Sequence, residues 1–291
     1  MRRRDFMVAG LALSLPASAA TKRFDRGLLW RVTKDGTRPS HVYGTIHVAD
    51  ARLAQLPPPV RRALDGARSV MLEFVPDGYT RERFIEAAMF LDRQTLEGTI
   101  GKPDFERALE VLAPIGLPRE VVNKLKPWGV LLNLRDPQRS EDGTPLDAQL
   151  IEIARQRRLP LDQIEGVEEQ IFTFDEFPMD SQVALLRHSL EHRAELAELA
   201  ERTLDAYLAR DLRALWRLRE AFIARYPEVA AHQAVMTKRV IYDRNVVMAF
   251  RMQRQLRRGD AFVALGALHL YGERGVLALL AEDGYQATRV F

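Results

Sequence analysis

Two short segments share a pattern suited to chemistry. Gly44-Thr45-Ile46-His47 and Gly266-Ala267-Leu268-His269 each end an apolar, strand-like run and precede a helical segment. A glycine near a strand's end permits close backbone approach or a bulge that re-aims the next side chain. In open α/β sheets, functional groups collect at the carboxyl ends of strands. If both runs lie in one sheet, His47 and His269 can meet. Glu73 is the third candidate, because it follows Val70-Met71-Leu72 in a run that reads as a buried strand, where an unpaired carboxylate is costly. Two imidazoles and a carboxylate suffice to hold a divalent metal and leave positions open for water. Equally, Glu73 could be a general base with its pKa raised by burial. The plainer alternatives make each histidine a satisfied residue at a strand end and put Glu73 at an exposed one.

Arg244-Asn245 lies in a helical segment that is apolar at Val240, Ile241, Val246, Val247, Met248 and Phe250. On an inward face, such a pair would polarise a carbonyl or steady an oxyanion; on an outward face, the arginine makes a surface salt bridge. His188-Ser189-Leu190-Glu191-His192 spells H-x-x-E-H, a zinc-site pattern. The apolar stripe around it (Val183, Leu186, Leu190, Ala197 and Leu204) places both histidines on the opposite face, which predicts a solvated surface. Trp128 reads as packing, and Asp147 as the start of a helix. No nucleophile elbow, Walker A loop or dinucleotide fingerprint is present.

The elements that must position these residues can be traced along the chain. Leu28–Thr33 and His41–His47 read as a hairpin around Asp35-Gly36 and Pro39, Ser69–Val75 as a buried strand, and Leu159–Ile164 as a short one. Helical patterns cover Thr80 to about Arg158, Asp180–Tyr226 as one bent or two helices, and about Glu228–Arg258. The end reads strand (Ala261–Leu265), helix (Gly275–Glu282), strand (Tyr285–Phe291). Strands at both ends and helices between them predict an α/β fold: a single domain with a mixed sheet built from N- and C-terminal strand units and a large helical insertion.

Composition narrows the chemistry further. The 291 residues contain no cysteine, which excludes a thiolate nucleophile, a disulfide, a Cys-ligated metal and a lipobox. Residues 1–20, MRRRDFMVAGLALSLPASAA, combine arginines, a short apolar run and Ala17-Ser18-Ala19. They read as a cleaved signal peptide, and Arg3-Arg4-Asp5-Phe6 fits the twin-arginine pattern; an ordinary Sec signal is the alternative. An exported, periplasmic domain over residues 21–291 follows. Arg2, Arg3 and Arg4 less Asp5 supply two of the three formal positive charges, so the net charge of +3 implies no nucleic-acid partner. No later stretch is long and apolar enough to span a bilayer, and nothing in the sequence fixes an oligomeric state.

With these residues in place, the chain resembles the TraB/GumN family, which includes the Tiki-type metalloproteases and is more distantly similar to erythromycin esterases and ChaN-like proteins. The resemblance runs from about Leu28 to Phe291. It rests on Tyr43-Gly44-Thr45-Ile46-His47-Val48, Leu72-Glu73, Lys126-Pro127-Trp128, Leu146-Asp147, Glu165 with Gln170, Arg244-Asn245, and Gly266-Ala267-Leu268-His269 with Gly272. It implies an α/β fold with paired Gly-x-x-His motifs and, in Tiki-type members, metal-dependent peptide hydrolysis with manganese or cobalt favoured. His47 and His269 then become metal ligands or catalytic histidines, and Glu73 a ligand or base. Where relatives often carry Leu-Glu-x-Asp, this chain has Glu73-Phe74-Val75-Pro76-Asp77, which puts in doubt an acidic role two residues after Glu73. The expectation is an exported metal-dependent hydrolase, acting on peptides or a small-molecule substrate through His47, His269 and Glu73, with zinc as a further candidate metal. The rivals are a haem- or signalling-peptide-binding protein on the same fold and a metal-independent esterase.

Overall fold

The computed structural model describes residues 24–134 and 143–291; the expected signal segment, residues 1–20, lies outside the described residues. Six strands, β1 (Leu29–Thr33), β2 (Ser40–Thr45), β3 (Ser69–Leu72), β4 (Leu161–Gln163), β5 (Ala261–Gly266) and β6 (Gln286–Arg289), form one sheet in the order β4-β3-β5-β2-β1-β6. β4, β3, β5 and β2 run parallel, while β1 is antiparallel to both β2 and β6. The N- and C-terminal strand units therefore meet in one mixed sheet, as the sequence predicts.

β5 is the axis of the parallel part. Residues 261 to 265 are an unbroken apolar run, each at most 1% exposed, as expected of a strand covered on both faces. Around it lies a core that includes Trp30, Tyr43, Val70, Leu150, Met252 and Leu277. A second apolar cluster, with Phe105, Trp128, Leu186 and Val229, holds the helical insertion together. Trp128 is packing, as its sequence context suggests: it is buried, and its ring stacks on Phe174 at 5.7 Å.

The connections matter most for the site. One helical excursion leaves β3 after Leu72 and returns to β4; the other leaves after Gln163 and returns through the helix Arg244–Arg258 to β5. Both depart from the carboxyl edge of the parallel strands. Within the second, residues 179 to 224 form three helices, Met179–Glu191, Arg193–Leu208 and Leu212–Ala224, rather than one or two. The breaks fall at His192, with φ −103° and ψ 33°, and at Arg210, with φ 58°, next to the capping side chain of Asp211. The single helix expected from about Glu228 to Arg258 also differs: α-helices Pro227–Thr237 and Arg244–Arg258 flank a π-helical turn over Lys238–Asp243.

Candidate functional site

The four parallel strands deliver their next residues to one place. β2 leads to His47, β3 to Glu73, β4 to Glu165, and β5 to Gly266 and the short turn Ala267–His269. Backbone pairing persists just past the strands, with Glu73 N–H donating to Ala264 O at 3.0 Å and Glu165 N–H to Glu73 O at 3.1 Å. Close approach requires Gly44 and leaves open space in front of Gly266. A Cβ on Gly44 would stand 2.8 Å from Leu270 Cδ1 and 3.1 Å from Ala267 Cα, blocking the contact between β2 and the turn after β5. A Cβ on Gly266 would point into the site, 3.3 Å from His269 Cδ2 and 3.6 Å from both Glu73 Oε2 and His47 Nε2.

His47, His269 and Glu73 thus converge, as the paired motifs suggested. Glu73 Oε2 lies 4.0 Å from His47 Nε2 and 3.9 Å from His269 Nε2, and it accepts the Gly266 N–H at 3.1 Å. Each imidazole is turned by a partner on its other nitrogen. His47 Nδ1 stands 2.9 Å from Asp147 Oδ2, and Thr45 Oγ1 fixes that carboxylate by donating to Oδ1 at 3.0 Å. His269 Nδ1 stands 2.6 Å from Asn245 Oδ1, while Asn245 Nδ2 donates to Arg274 O at 2.7 Å. Carboxylate and amide oxygens only accept, so both Nδ1 atoms donate; in the neutral rings the Nε2 lone pairs face Glu73.

Arg244 closes the site from behind. It pairs with Glu73 through Nη2 and with Glu165 through Nε and Nη2, and Nη1 donates to Val240 O. Arg244 and Asn245 open the helix Arg244–Arg258 directly after the π-helical turn, and at about 100° apart they border two sides of its inward face. Arg244 meets the carboxylates, and Asn245, 0% exposed, meets His269. Both ends of the Asn245 amide are occupied, so the geometry makes it a positioning residue for His269.

The electrostatics favour a positive charge in front of Glu73. Burial opposes the Glu73 carboxylate, but His269, Arg244 and His47 prevail and hold it down to about 2; Arg244 is the permanent charge among them. This direction is opposite to that expected of a buried base. The hydrogen bond to Asp147 lifts His47 to about 9, while burial pushes His269 down to about 4. The raised pKa leaves His47 protonated near neutral pH, so a divalent cation in front of Glu73 would take the place of the His47 Nε2 proton.

The donor set fits such a cation in kind: two oriented imidazoles and an ionised carboxylate around an open glycine. The fit in distance is looser, since ligands 2.1 Å from a tetrahedral metal are about 3.4 Å apart. Among the described residues, no group of three His, Asp or Glu is already drawn into a ligand cage. The His47 side chain is 62% exposed against 10% for Glu73 and 5% for His269, so the site opens on the His47 side. A cleft of about 210 Å³ lies behind it, lined by Glu165, Glu169, Phe172, Arg239, Arg244 and Val247 among others. The larger cavity, about 400 Å³ between Arg26, Arg210, Arg289 and Phe291, touches none of these site residues.

Two residues differ from their sequence reading. Asp147, expected only to start a helix, does lie in the first turn of Leu146–Gln156, but its carboxylate orients His47 from 100 residues away. His188, expected on a solvated face, is only 6% exposed. His188 keeps its phase relative to Leu186 and Leu190 within Met179–Glu191, but Phe222 and Tyr226 cover the face expected to meet solvent, so the helix is buried on both sides. The His188 ring packs against His192 and Tyr226, each at 4.5 Å between centroids, and against Phe222 at 5.8 Å. Conversely, Val246, Val247 and Phe250, counted among the apolar positions around Arg244, are 60%, 37% and 76% exposed.

The sequence is similar to YbaP, described as an uncharacterized protein, of Shigella flexneri: the two are 27% identical over 257 residues, 86% of this chain and 90% of the relative. YbaP of Escherichia coli strain K12 is 26% identical over the same shares. The TraB/PrgY/gumN family matches residues 28–289, which takes in all four strand ends, both Gly-x-x-His motifs and Arg244-Asn245, and the chain belongs to that family.

Proposed function

We propose that this protein is an exported, metal-dependent hydrolase whose substrate is a peptide, with His47, His269 and Glu73 as the metal ligands. The observation that supports it is the convergence of both Nε2 atoms on Glu73 Oε2, at 4.0 and 3.9 Å, with each Nδ1 anchored. Manganese or cobalt is the expected ion, with zinc as a further candidate. When bound, a divalent ion would supply Lewis acidity for a scissile carbonyl and lower the pKa of water at neutral pH.

The chain's own residues do the rest. Asp147 and Asn245 keep the imidazole lone pairs directed inward, as outer partners of ligating histidines do. Arg244 keeps Glu73 ionised and fixes its carboxylate, leaving Oε2 facing the histidines. The site is open to solvent on the His47 side, whereas Glu73, Glu165 and His269 stay shielded from bulk water.

The test is metal content and peptide hydrolysis measured together. Protein stripped with chelator should regain hydrolysis of a peptide library with manganese, cobalt or zinc. His47→Ala should lower metal content, and His188→Ala with His192→Ala should leave it unchanged. A protein that binds none of the three metals would sink this reading. Chelator-resistant hydrolysis of esters would assign a metal-independent esterase, and a Soret band on haem titration that His269→Ala abolishes would assign a haem-binding protein.

A further inference from the structure

The helix Arg244–Arg258 turns Asn245, Met248, Ala249, Met252, Gln255 and Leu256 into the core. Its outer face has an unusual composition. At 100° per residue, Val246, Val247, Phe250, Arg254, Arg257 and Arg258 fall within an arc of about 120°. Along the helix axis the first turns of that face are apolar and bare, with Phe250 76% and Val246 60% exposed. Phe172, 59% exposed, shares a cleft with Val247 and extends the patch sideways. The last turns, with Arg254, Arg257 and Arg258, are basic. The helix contains five arginines and no acidic residue.

Charge on this face is left uncompensated. Arg244 and Arg251 are held by Glu165 and Glu169, and among the described residues Arg257 reaches only the neutral Gln253. Arg254 and Arg258 are exposed, and neither side chain makes an ion pair or hydrogen bond to another of the described residues. Just beyond the helix, Arg38 and Arg68 share the single carboxylate of Asp260. A large exposed aromatic beside bare apolar residues marks an interaction surface. A convex ridge of aromatic and aliphatic side chains continued by arginines matches the interfacial region of a bilayer, with rings among the acyl chains and guanidinium groups on phosphates.

We propose that this face docks the protein peripherally on an anionic lipid surface, with Phe250, Val246 and Phe172 entering the interface and Arg254, Arg257 and Arg258 engaging headgroup phosphates. Docking adds to the proposed hydrolysis and does not depend on it. The outer face of the helix binds lipid, while its inner face carries Arg244 and Asn245 to the candidate site, so a docked molecule holds that site at a fixed height above the membrane.

Vesicle co-sedimentation tests the proposal, using the protein as its host processes it. Vesicles of phosphatidylcholine with phosphatidylglycerol should carry down the protein, and phosphatidylcholine alone should not. A juxtamembrane arginine contributes on the order of 1 kcal/mol, so Arg254→Gln with Arg258→Gln should weaken partitioning roughly 25-fold. Phe250→Ser should weaken it separately, and both variants should keep the wild-type circular dichroism because the replaced side chains are exposed. His47→Ala, which alters the candidate site alone, should bind vesicles like the wild type. Binding that is absent, equal on both lipids, or indifferent to these substitutions overturns the proposal. So does a dimer in sedimentation equilibrium that Phe250→Ser abolishes, which would give the face to a second copy of the chain.

Discussion

His188 shows how a single side chain can carry an energetic signature unconnected with the candidate site. It is buried against Phe222, Tyr226 and His192, and its Nε2 has no hydrogen-bond partner among the described residues. Burial first, and the neighbouring His192 second, push its pKa below the ordinary 6.5. Above pH 6.5 the ring is neutral in both folded and unfolded chains and the fold bears no penalty. As pH falls through 6.5, the unfolded chain takes up a proton that the folded one resists, so stability is lost until the folded pKa is also passed. Urea midpoints measured between pH 7.5 and 5 should fall less for His188→Phe than for the wild type. An equal fall in both would remove His188 from the acid response. The motif around it could be read in the sequence but its setting could not, because Phe222 and Tyr226, more than thirty residues on, decide what covers the ring. Asp147 was hidden for a related reason: its partners, Thr45 and His47, lie 102 and 100 residues away.

At the scale of elements, the site depends on two glycines with different duties. Gly44 lets β2 and the turn after β5 touch, and a methyl there would meet both a side chain and backbone at 3.1 Å or less. Gly44→Ala should therefore cost about 1–3 kcal/mol by overpacking, read as a lower denaturant midpoint. At Gly266 a methyl would meet only site atoms, at 3.3 Å or more. Gly266→Ala should keep most of its stability while losing affinity for manganese, cobalt and zinc in calorimetric titration. Equal effects of the two substitutions on stability and on metal would contradict this division of duties. Strand–glycine–x–x–histidine units were legible in the sequence because each is local and occurs twice. The π-helical turn was not, since Lys238–Asp243 continues the helical pattern on both sides without a proline or glycine to mark the change.

The whole molecule brings these parts together through connections the sequence implied only in outline. Strands at both ends of the chain pointed to a shared sheet, and β2 lies beside β5, with β1 between β2 and β6. Which donors end up side by side follows from the strand order, and that is fixed by packing over the whole chain. A ligand bridging His47, Glu73 and His269 joins three distant segments. Free metal at a hundred times its dissociation constant should add about 2.7 kcal/mol and raise the melting temperature by roughly 5–10 °C. A melting curve indifferent to chelator and to added metal would count against metal ligation. The order β4-β3-β5-β2 has a further consequence for assembly. Because β5 lies between β3 and β2, no intermediate without β5 in place can present the three donors together. Capacity for the ligand arises when β5 joins its two neighbours, so its appearance during refolding would time that insertion.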